Sequence, residues 1–144
     1  MGTRRKAREM ALQALYRVEI TGDESPEGLE LLWQHFEAPL EARSFAKELL
    51  RGVIEKREEI DRLIREAVEH WSFERLSRVD LNVLRVSVLE LLEGGTPTRI
   101  VLNEAIEIAR RFGGDDAAQF VNGILDHVAG VLGVREDRDR AVDR

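Results

Sequence analysis

The stretch VDLNVLRVSVLELL, residues 79–92, decides the fold. Its apolar members, Val79, Leu81, Val83, Leu84, Val86, Val88, Leu89, Leu91 and Leu92, fall on all sides of a helix at about 100° per residue. A helix that is apolar all round belongs in the middle of a protein. Amphipathic helices must then wrap it, so the chain is expected to form a compact all-α bundle. Ser77-Arg-Val-Asp80 reads as a capping box at its entrance. Asp80 and Arg85 are the charged residues inside this run before Glu90. Asp80 has a capping role ready for it, and a charge at the mouth of a central helix also suits a partner protein.

Working outward, helical periodicity recurs over residues 4–20, 26–36, 41–55, 57–70, 78–93, 97–112 and 116–133, which makes seven helices. No stretch alternates apolar and polar residues as a strand does. Ser25 before Pro26, and Thr96 before Pro97, have the form of an N-cap followed by proline at the first helical position. Gly113 is expected to stop the sixth helix, and Asp116-Ala-Ala-Gln119 to open the seventh. Residues 1–134 are expected to form one domain. Residues 135–144, REDRDRAVDR, carry almost no apolar content and read as a disordered tail.

The composition narrows the class. With 144 residues the chain can bury a substantial core, and with no cysteine it has no disulfide, thiolate nucleophile or Cys-ligated metal. No apolar run reaches membrane-spanning length, and no signal-type apolar segment follows the basic N-terminus, so the cytoplasm is the expected location. The first eight residues carry +4 while the whole chain carries −6, which leaves −10 on the remainder. An acidic body repels nucleic acid in general, so any nucleic acid must be met at a local site.

That local site is expected on the first helix. Ala7, Met10, Ala11, Ala14, Leu15 and Val18 form its core-facing stripe. Arg5, Arg8, Glu9, Leu12 and Tyr16 cluster opposite, flanked by Lys6 and Gln13, with Arg4 just before them. Cations at a helix start oppose the macrodipole at about 0.3–1 kcal/mol each, so they call for a reason. Guanidinium groups beside an outward aromatic ring suit single-stranded RNA: the forks take phosphates and the ring takes an unstacked base. The bland reading is a solvated basic face with Tyr16 covering a neighbouring helix.

Other constellations point away from catalysis. His35, His70 and His127 share no metal-binding spacing, and neither GxGxxG nor GxxxxGK[ST] occurs. Without a nucleophile–base pair, no enzyme and no cofactor are expected.

Four segments resemble the NusB transcription antitermination factors: RRKAREMALQALY, ELLRGVIE, FERLSRVDLNVLRVSVLELL and TPTRIVLNEAIEIARRFGGDDAAQFVNGILD. They match in order up to about residue 134, the last being the most specific. The resemblance implies two small helical bundles packed across each other. It also implies binding of boxA-type single-stranded RNA jointly with ribosomal protein NusE, on elongating RNA polymerase at ribosomal RNA operons, with no reaction catalysed. Carried onto this chain, the RNA surface falls on Arg4, Arg5, Arg8, Gln13 and Tyr16, and on Asp116, Gln119 and Phe120 at the last helix start. The family often has a basic residue where this chain has Gln119. The NusE surface is expected to include Asp80 and Arg85, and a homodimer covering the arginine-rich helix is compatible with the family. Two rivals are an RNA-binding module related to ribosomal RNA methyltransferases and a helical module that binds only protein.

Overall fold

The computed structural model describes residues 2–36, 38–68, 73 and 76–135. It holds helices α1 (Thr3–Thr21), α2 (Pro26–Trp33), α3 (Leu40–Glu55), α4 (Arg57–Ala67), α5 (Arg78–Glu93) and α6 (Thr98–Leu132), and no strand among the described residues. The all-α expectation is met. Helices α1–α3 form one group and α4–α6 another, and the two meet where α5 packs against α1 and α3.

Helix α5 is the axis. Leu84, Val88 and Leu89 are fully enclosed, and Leu81, Val83, Val86 and Leu91 are buried around them. Its polar residues Asn82, Arg85, Ser87 and Glu90 are buried as well, so the middle of the helix has no solvent face. Val79 departs from the all-round pattern: it lies in the first turn and is exposed. Around the axis, the expected stripe of α1 (Ala7, Met10, Ala11, Ala14, Leu15 and Val18) is buried, together with Leu49 and Val53 of α3 and Ile60 and Ile64 of α4.

The ends follow local chemistry. Ser77 accepts from the Asp80 backbone N–H at 3.0 Å, and Ser25 accepts from that of Gly28 at 3.1 Å, so both caps form. Thr96 does not cap α6. Its hydroxyl turns to Glu90 Oε1 at 3.4 Å, and Pro97 takes the cap position instead. The two helices expected at 97–112 and 116–133 are one helix with a kink. The break is at Gly114 (φ 83°, ψ −172°) rather than Gly113, because only glycine adopts that backbone without strain. Helix α2 ends at Trp33 and α4 at Ala67, short of the expected 36 and 70. Residues 69–70, with His70, and the tail from 136 onward lie outside the described residues.

The α3–α5 contact is close enough to be tested. A Cβ on Gly52 would stand 2.7 Å from Cδ2 of Leu89, which is fully buried and has nowhere to go. Overpacking of this kind costs about 1–3 kcal/mol, while alanine gains at most about 1 kcal/mol in helix propensity. Gly52→Ala is therefore expected to lower stability in urea melts, and Leu89→Val in the same chain to recover part of the loss.

Candidate nucleic-acid interface

The cationic start of α1 folds into a cleft of about 480 Å³ between α1 and the α5–α6 connection, where Arg4, Arg5 and Arg8 meet Thr96, Ile100 and Glu104. The three arginines play different parts. Arg4 is exposed and lies over the Phe45 ring of α3, 4.5 Å from its centroid. Arg5 is half-buried and forms a fork with Glu104: Nε donates to Oε1 at 3.0 Å and Nη2 to Oε2 at 2.6 Å. That hydrogen bonding raises the Arg5 pKa and holds the Glu104 carboxyl below the usual carboxylate range, against the opposing effect of burial.

Arg8 is not on an open face, contrary to the helical-wheel reading. It is 4% exposed and donates through Nε and Nη2 to Glu90, both at 2.8 Å, with Nη1 3.4 Å from Glu104. Glu9 and Leu12 are buried on the same side. The wheel gives a direction but not what stands there. Helix α6 runs along this side of α1, and its Arg111 takes Glu9 at 2.8 and 3.0 Å.

One turn and more along α1, the face does open. Tyr16 is 50% exposed at an apolar groove of about 630 Å³ that also includes Leu12, Ile20, Leu32, Val79 and Phe112. Gln13, Arg17 and Arg78 supply polar groups at its edge. The outward direction read for Tyr16 and Gln13 is the one observed, since both are exposed. At the bend, Asp116 and Gln119 are exposed, and Phe120 is half-buried against the core. The bend joins the groove through Phe112, two residues before Gly114.

The α5 entrance separates its two candidates. Asp80 is half-buried, and that burial raises its pKa despite the Ser77 hydrogen bond. Arg85 is buried rather than on an open surface. It forks onto Asp61 (Nε–Oδ1 2.9 Å, Nη2–Oδ2 3.0 Å) and reaches Asn82 and Glu19, each at 3.2 Å. Glu19 also takes Arg78. A carboxylate from α4 thus neutralises a cation that the resemblance assigned to the NusE surface.

Phe112, Ile20, Val79 and Glu104 were not among the expected site residues. Leu12, Tyr16 and Ile20 recur every four positions, which is a helical signal for a second apolar stripe. Glu104 lies 99 and 96 residues from Arg5 and Arg8, Phe112 is as distant from Leu12 and Tyr16, and no local spacing reveals them. His35 and His127 are exposed and line neither the cleft nor the groove.

Fold and surface define an all-α bundle that presents an arginine cleft and an aromatic groove along one helix. The chain belongs to the NusB family, whose model matches residues 5–130. It is 46% identical over 134 residues to the transcription antitermination protein NusB of Geobacter sulfurreducens, covering 92% of this chain and 97% of that one. It is 43% identical over 145 residues to that of Geobacter sp. (strain M21), covering 94% and 100%. Among solved structures it is similar to T. maritima NusB (TM-score 0.77, 40% identity, 88% and 90% covered). It is also similar to a chain in a crystal structure of antitermination factors NusB and NusE in complex with dsRNA (TM-score 0.78, 27% identity, 91% and 98% covered).

Removing one partner from a buried ion pair leaves an uncompensated charge, at a cost of about 3–5 kcal/mol. Arg8→Ala is therefore expected to destabilise the fold by that order, because Glu90 stays buried, while Arg4→Ala changes stability by less than about 1 kcal/mol. Urea melts of the two variants check this.

Proposed function

We propose that the chain is a transcription antitermination factor that binds boxA-type single-stranded RNA together with ribosomal protein NusE. In this reading the pair joins elongating RNA polymerase in the cytoplasm, and the protein catalyses no reaction. The observation that carries it is Tyr16: a half-exposed ring at an open groove, on the helix that bears the arginine cleft, in a member of the NusB family. Bases stack on Tyr16 with Phe112 beyond it, Arg4 and Arg5 take phosphates, and Gln13 offers an amide to a base edge. Asp116, Gln119 and Phe120 continue the RNA path past the bend. Arg8 contributes by holding the helix rather than by touching RNA.

NusE docks beside the start of α5, where Asp80 is the residue still available, since Arg85 is enclosed by carboxylates. In the absence of RNA, a second copy of the chain covers the groove, because Tyr16, Ile20, Val79 and Phe112 together leave an apolar surface open to water. The similar NusB–NusE structure contains double-stranded RNA, so strandedness is the variable to test. No helix among the described residues is long and apolar enough to cross a membrane, in keeping with the cytoplasmic part of the proposal.

Filter binding of boxA-type RNA across a salt series tests the reading. With Arg8 withdrawn, about one to three phosphate contacts from Arg4, Arg5 and Lys6 give a log–log slope near −0.7 to −2 for a single strand, and a slope near zero removes the cleft from the mechanism. Tyr16→Ala is expected to lose about 1–3 kcal/mol of RNA binding, and Tyr16→Phe to keep most of it. Both variants should melt close to the parent, since the ring is half in water. A Tyr16→Ala chain that unfolds while its folded fraction binds RNA normally overturns the stacking role.

A further inference from the structure

The cleft meant for phosphates already contains an anion. Both carboxylate oxygens of Glu104 are committed to arginines of α1: Oε2 to Arg5 at 2.6 Å, and Oε1 to Arg5 at 3.0 Å and Arg8 at 3.4 Å. The geometry is that of a guanidinium fork on a planar two-oxygen acceptor, which is also how arginine takes a phosphate. The other acids near Arg5 are engaged elsewhere. Glu9 is held by Arg111 at 2.8 Å, and Glu107 pairs with Arg110. Arg8 keeps its second carboxylate, Glu90, whatever Glu104 does. The Arg5–Glu104 pair is only partly enclosed, at 28% and 19% side-chain exposure, whereas Arg8–Glu90 is sealed at 5% each. One pair can open to a ligand from the cleft, and the other cannot.

We infer that Glu104 is a competing ligand built into the RNA cleft, so that a phosphate reaches Arg5 only by displacing it. The inference rests on the RNA reading above and adds to it a residue that tunes the same site. The exchange is close to neutral in hydrogen bonds: Arg5 gives up one bidentate acceptor and gains another. What it adds is a freed carboxylate beside the incoming phosphate. The acid repels the strand and takes up a cation from solution, which offsets the counterion that the phosphate releases. Arg5 is then nearly silent in the salt dependence of the wild-type chain. Weak binding by the isolated protein becomes a property of this contact, and other contacts must supply the affinity.

Four proteins test it by RNA titration across a salt series: wild type, Glu104→Gln, Arg5→Gln, and the double variant. Glu104→Gln removes the charge and keeps the shape. It should bind RNA roughly threefold or more tightly at low salt. Its log–log slope should be steeper by about 0.7, one single-strand phosphate. Arg5→Gln should bind most weakly, because it removes a cation and leaves Glu104 in the cleft with only the 3.4 Å contact to Arg8. The double variant should return to about the wild-type affinity, since the two changes leave the net charge as it was. If Glu104 instead only ties α6 to α1, Glu104→Gln will melt earlier and bind RNA like wild type, and the double variant will bind as weakly as Arg5→Gln. Either result overturns the inference. Should Glu104→Gln fail to fold, the comparison of Arg5→Gln with the double variant still decides it. Absence of salt-dependent binding in the wild type would instead bring down the RNA reading, and this inference with it.

Discussion

Everything on the functional face depends on where α1 stops rotating, and the Arg8–Glu90 pair stops it. From Leu81 to Leu91 helix α5 is buried on all sides, and it carries a glutamate near its end. A charge so placed must find its partner from a neighbouring helix or move the helix out of the core. Arg8 supplies both donors at 2.8 Å. The reverse arrangement stands further along, where Arg85 of α5 reaches Glu19 of α1 at 3.2 Å. Helix α1 gives α5 one arginine and one glutamate, and Glu19 takes Arg78 of α5 as well as Arg85. Buried pairs of this kind add little net stability over apolar packing, but they tolerate only one alignment. With α1 so aligned, Ala7, Met10 and Ala14 face inward and Tyr16 faces water.

The same solution constrains what the protein can do with its cations. Of the basic residues near the N-terminus, Arg8 is consumed by the fold and Arg5 is shared with Glu104, while Arg4 and Lys6 rest over the rings of Phe45 and Phe36. A guanidinium stacked on one ring has a second planar face free for a base. The site therefore gains order at the expense of bare charge, in a protein whose remaining surface is acidic. Affinity from charge alone would make such a surface indifferent to which polyanion it meets. In the proposed reading, a groove with tyrosine and phenylalanine beside it adds contacts that depend on the shape of the strand.

The fold was legible because its signals are local and periodic. The all-round apolar run of α5, the Ser25 and Ser77 caps and the inward stripe of α1 all stand in the sequence and in the structure alike. The site was legible only in outline. Periodicity gave Tyr16 its direction, but it could not say that α6 would bring Glu104 and Arg111 against the same helix. Arg8 and Arg85 look alike in sequence to arginines that serve a ligand. Their carboxylates come from positions 90, 61 and 19, and nothing near residues 8 or 85 announces them. Thr96 likewise has the form of a cap, and the nearby Glu90 carboxylate draws its hydroxyl away. Charges that a fold pairs over long distances escape local reading.

The kink at Gly114 bears on the dimensions of the molecule. An unbroken helix of 35 residues would run about 52 Å, well beyond the roughly 35–40 Å across a compact chain of 144 residues. Its far end would project into solvent with Val121, Leu125 and Val128 stranded, though all three are core residues here. One left-handed glycine divides that length into two spans of about 24 and 27 Å, each matched to the width of the body. The elbow lies at the surface, and residues 110–116 around it form the longest exposed run of the helix. The bend that fits the helix to the body's width also stands at the groove's edge, so one residue bears on both the protein's size and the outline of the groove.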